Sequence, residues 1–75
     1  MPRMSNDEMG QILAEVVRAA GGEMAHAALI EALRAAKHDQ VLARLPALVR
    51  TGYLQRRLVP QEQGPVKLVY SLPQS

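Results

Sequence analysis

Seventy-five residues leave room for one domain, expected to span 1–75 with an ordered core over about 6–72, and so short a chain buries only about 60% of the surface its unfolded form exposes. Hydrophobic residues make up 48% of it and charged residues 21%, the balance of a foldable domain, and the lack of cysteine excludes disulfides, thiolate metal sites and cysteine nucleophiles. Net charge is only +2, but residues 1–33 hold two cations against five acids, whereas residues 34–75 hold seven cations against two acids, which points to a polyanion-binding later half.

Ser5 followed by Glu8 has the spacing of a capping box, so a first helix is expected over 6–20. Met9, Ile12, Leu13, Val16, Val17 and Ala20 recur at helical steps along one face, and Gly21 and Gly22 stop the helix. Glu23, Met24 and Ala25 are too few for an independent strand but suit pairing with the edge of a sheet formed elsewhere. A second helix over 26–36 is rich in Ala and Leu, with Leu29, Ile30 and Leu33 inward. Asp39 is the expected N-cap of a third helix over 39–51, with Val41, Leu42, Leu45, Leu48 and Val49 inward and Gly52 as its stop. Pro46 inside it predicts a kink or a later start, because an interior proline removes a backbone hydrogen bond at a cost of about 3 kcal/mol.

Beyond Gly52 the period changes from helical to alternating. Two strands, 53–59 and 66–72, are expected to form a hairpin with Leu54, Leu58, Leu68, Tyr70 and Leu72 on its inner face, and Gln55, Arg57, Lys67 and Ser71 outside. Arg56 falls on the inner face by register, so its place is the open end of the hairpin, where it reaches water. Pro60, Gly64 and Pro65 mark the connecting loop.

The order helix, short strand, helix, helix, hairpin resembles the winged helix-turn-helix superfamily, an α+β fold. Its clearest local echo is the run from Leu45 through Gly52 to Arg57, which looks like the end of that family's recognition helix, a glycine stop and the first wing strand. The resemblance implies double-stranded DNA as partner, with the third helix in the major groove and the wing on the backbone or minor groove. It places Lys37, His38, Gln40, Arg44 and Arg50 at the groove-facing helix, and Arg56, Arg57 and Lys67 at the wing. It also implies a transcriptional regulator, and useful specificity would call for a homodimer joined through helix one or the C-terminal strand.

Arginine suits such work because its planar fork holds guanine edges or phosphate oxygens with paired hydrogen bonds, so Arg44 and Gln40, one turn apart, are the first candidates for base contacts. The plainer alternative is an ordinary solvated helix face. With Phe and Trp absent and only Tyr53 and Tyr70 present, there are few platforms on which unpaired bases would stack. His26 and His38 are too far apart for a zinc site, and no nucleophile, base and orienting group fall at suggestive intervals, so neither metal, cofactor nor enzyme activity is expected. No apolar run approaches the roughly 20 residues of a membrane span, and residues 1–10 are polar rather than signal-like, so a cytoplasmic protein without a membrane partner is expected. The rival reading is a protein interaction module with an acidic protein partner, since Ala43 and Ala47 leave the outward face of helix three bland.

Overall fold

A computed structural model describes residues 4–73; Arg3 of the charge count and the other terminal residues of the expected 1–75 domain lie outside the described residues. The fold is α+β: three helices cover one face of a three-stranded antiparallel sheet. The chain runs α1 (Asn6–Ala19), β1 (Glu23–Ala25), α2 (His26–Ala35), α3 (Asp39–Thr51), β2 (Gln55–Val59) and β3 (Lys67–Ser71).

Helix α1 begins where the capping pair places it. The Ser5 hydroxyl accepts a hydrogen bond from the Glu8 amide at 3.1 Å, satisfying one of the donors left free at a helix start. Met9, Leu13 and Val17 are buried along its inner face, with Ile12 and Val16 half-buried beside them. Each helix then ends by the same device, a left-handed residue that folds the next amide back onto the last turn. Gly22 donates to the Val17 carbonyl at 2.9 Å, His38 to Leu33 at 2.9 Å and Tyr53 to Leu48 at 3.2 Å. The left-handed residue is a glycine after α1 and α3, but after α2 it is Lys37, with φ of 61°.

In the sheet, β3 lies between β1 and β2. Met24 and Arg56 stand opposite Tyr70, and Leu58 opposite Leu68, so these residues share the face toward the helices. Ala25 and Arg57 stand opposite Val69, and Glu23 and Gln55 opposite Ser71, on the other face. The core joins Met9, Leu13, Val17, Leu29, Leu33, Val41, Leu45, Leu48, Leu54 and Tyr70. A leucine taken wholly out of water there contributes on the order of 1.5–3 kcal/mol.

Several boundaries and faces differ from expectation. Strand β2 starts at Gln55 rather than residue 53, because Tyr53 is still closing α3 and Leu54 drops into the core. Strand β3 is shorter at both ends than 66–72. Leu58 has the expected facing but is 66% exposed, since it lies out toward the loop, past the helices. Val69 was not among the expected buried residues, yet it is only 6% exposed on the outer face, apart from the main core. The C-terminal strand is paired on both sides, so it has no free edge to offer a second copy.

Candidate nucleic-acid interface

Helix α3 runs unbroken from Asp39 to Thr51 with Pro46 inside it. The expected later start is therefore wrong, and so is Asp39 as N-cap: His38 takes that position without a side-chain bond, and Asp39 is the first helical residue. Pro46 is exposed, so the hydrogen bond it removes is lost on the side of the helix that water reaches. Val41, Leu45 and Leu48 are buried and Leu42 and Val49 half-buried, leaving Gln40, Ala43, Arg44, Pro46, Ala47, Arg50 and Thr51 exposed.

The exposed cations of α3 do not form one cluster. At about 100° per residue, Arg44 and Arg50 stand about 120° apart around the axis. Arg44 and Gln40 face the start of α1, bordering a depression of about 270 Å³ with Met4 and Met9. Lys37, His38 and Gln40 border the adjoining hollow around Met4. Arg50 lies on the opposite flank and, with Arg56, lines a groove of about 550 Å³ between α3 and the sheet. Ala43 and Ala47 form the strip between the flanks, beside an exposed Asp39.

The cations of the hairpin separate as well. Arg56 sits near the open end of the hairpin, opposite Tyr70, and is exposed there although its register faces the helices. Lys67 pairs with Val59 at the loop end, and the whole connection from 60 to 66 is exposed. Arg57, by contrast, is ion-paired with Glu23. The register carries this pair from β2 across β3 to β1, over the outer face that holds Val69. Arg57 therefore serves the sheet, whereas Lys37, Arg44, Arg50, Arg56 and Lys67 have no ion-pair partner among the described residues.

Two tyrosines tie the elements together. Tyr70 is buried in the core, and its hydroxyl shares a 3.0 Å hydrogen bond with His26 Nδ1, which anchors the first residue of α2 to the central strand. Burial raises the Tyr70 phenol above its ordinary pKa, against an opposing pull from the charge of Arg56. Tyr53 donates its hydroxyl hydrogen to Asp7 on α1, and that bond, with lesser help from desolvation and the carboxylate charge, raises its pKa. The sequence signalled neither contact, because each joins residues distant in the chain. The same holds for the Arg57–Glu23 pair, whose partners lie 34 residues apart.

No group of three or more His, Cys, Asp or Glu is gathered among the described residues, and no described helix is long and apolar enough to cross a membrane. Fold and site together define a small α+β domain whose third helix presents cations on two flanks of an alanine strip. Comparison with protein-family models, with curated proteins and with solved structures gave no match for this chain.

Proposed function

We propose that this chain is a winged helix domain that binds double-stranded DNA as a regulator of transcription. The element order, and a sheet ordered β1-β3-β2 with a projecting hairpin, support the fold assignment. The observation that carries the binding assignment is the arrangement on α3: on both flanks, cations without an ion-pair partner among the described residues, and small alanines between them.

A helix of about 10–12 Å diameter fits a major groove about 12 Å wide. With α3 seated there, Lys37, Arg44 and their neighbours meet one wall of phosphates, and Arg50 and Arg56 meet the other. Ala43 and Ala47 face the floor, where a methyl group makes contact with thymine methyls but reads little else. The interface is thus mostly one of backbone contacts, which fix position more than they specify sequence. Gln40 and His38 add hydrogen bonds on the first wall, and Lys67 extends the contact along the wing. Specificity then comes from pairing two copies on a pseudo-palindromic site, through α1 or an outer strand rather than through β3.

Fluorescence anisotropy with random-sequence duplex DNA tests the proposal. Binding at low salt that weakens steeply as salt rises supports it. No binding at low salt favours the rival reading, an adaptor whose α3 packs against an acidic protein partner. The exposed Leu58 and Val66, at 66% and 54%, are the observation that keeps this rival in view.

A further inference from the structure

The groove between α3 and the sheet has a chemistry that backbone binding does not use. The half-buried Val49 and Leu68 supply its apolar walls over a base of the buried Leu45 and Leu54, and Tyr70, hydrogen-bonded to His26, supplies a fixed polar group. Arg50 and Arg56 line it too, both exposed, and no acid is among its lining residues. Its volume of about 550 Å³ falls within the range of about 300–1,000 Å³ usual for small-molecule sites, which are largely apolar with a few convergent polar groups. A phosphodiester passing the mouth would meet the guanidinium groups but leave the apolar walls empty.

We infer that this groove is a binding site for a small amphipathic carboxylate, its carboxyl group held by Arg50 and Arg56 and its hydrocarbon body lying between Val49 and Leu68 over the base formed by Leu45 and Leu54. Two guanidinium groups in a groove lined by no acid select an anion, and the planar fork of arginine matches a carboxylate. The apolar walls select against small hydrophilic anions. The site does not depend on the DNA reading, since it needs only the free chain.

The test is titration of the full chain with butanoate, hexanoate and octanoate, followed by amide and methyl chemical shifts. Saturable shifts are expected at Val49, Leu54, Leu68 and Tyr70, with affinity rising up to about fourfold for each added methylene that is buried. Octylammonium and inorganic phosphate are expected to leave these resonances in place. Arg50→Gln combined with Arg56→Gln should weaken octanoate binding at least about tenfold, the loss of a charge-assisted hydrogen bond. Arg34→Gln, on the exposed side of α2, should leave it unchanged; an unchanged amide spectrum of the free variants shows that the fold persists. Equal binding of octylammonium, equal binding of phosphate, no gain with chain length, or undiminished binding by the double variant would each overturn the assignment. DNA binding is absent from every arm, so failure here leaves the DNA proposal standing, and the reverse.

Discussion

The aromatic ring of Tyr53 lies against the backbone of Gly10, so closely that a β-carbon at Gly10 would fall 2.1 Å from the ring. Gly10 is buried in the middle of α1, where glycine ordinarily costs about 0.5–1 kcal/mol relative to alanine. The ring it admits carries the hydroxyl that bonds Asp7, so this one position lets α1 receive the end of α3.

Gly10→Ala should therefore destabilise the domain by about 1–3 kcal/mol, the usual range for overpacking, even though it improves helix propensity. In a Tyr53→Ala background the same substitution should become neutral or stabilising. Urea denaturation of the four variants of this cycle measures the coupling, and additive effects would show that the ring yields without cost.

Lys37 holds a left-handed conformation that costs a residue with a β-carbon about 1–2 kcal/mol. Lys37→Gly should raise stability by about 0.5–1 kcal/mol, the strain relieved less the extra chain entropy of glycine. On the DNA proposal the same variant should lose affinity, and the slope of log affinity against log salt should become shallower by about 0.9, the value of one phosphate contact. A variant that is more stable but binds DNA with unchanged slope would remove Lys37 from the interface.

Arg57 and Glu23 form an exposed pair, with side chains 65% and 50% accessible, so Glu23→Gln should change stability by less than about 1 kcal/mol. On the DNA proposal its larger effect should be on duplex binding, since it removes an acid and releases a cation now held on the outer face of the sheet. The expected readout is tighter binding at low salt. Weaker binding would mean that Glu23 orders Arg57 for contact rather than withholding it.

Both tyrosines titrate above their ordinary value near 10 in the folded chain, Tyr53 chiefly through its bond to Asp7 and Tyr70 through burial. A folded pKa above the unfolded one means that the stabilisation is whole below about pH 10 and is lost as pH rises through the folded value. Urea midpoints should therefore hold steady up to about pH 10 and fall beyond it, with a shallower fall in Tyr53→Phe. A midpoint that rose above about pH 10 would contradict the sign of both shifts.

The sequence carried the helices well, because capping, helical spacing and terminal glycines are local signals. Ser5 with Glu8 announces α1, and the three-residue β1 was expected to join a sheet edge, as it does against β3. What lay beyond reach was settled by distance across the fold. Gly10 reads as a defect in a helix until the Tyr53 ring is seen beside it. Arg57 reads as a free wing cation until β3 brings β1 within its reach. Arg44 and Arg50 both read as outward, and only the neighbouring α1 and hairpin give their two directions different surroundings.

The most direct measurement is the salt dependence of duplex binding for the parent chain and for Arg44→Gln and Arg50→Gln. If Lys37, Arg44, Arg50 and Arg56 each neutralise a phosphate, the parent slope of log affinity against log salt should lie near about −3.6. Each substitution, on its own flank of α3, should reduce that slope by about 0.9 on any duplex sequence. A parent chain that fails to bind at low salt, or slopes that ignore both substitutions, would contradict a helix gripped by phosphates from its two sides.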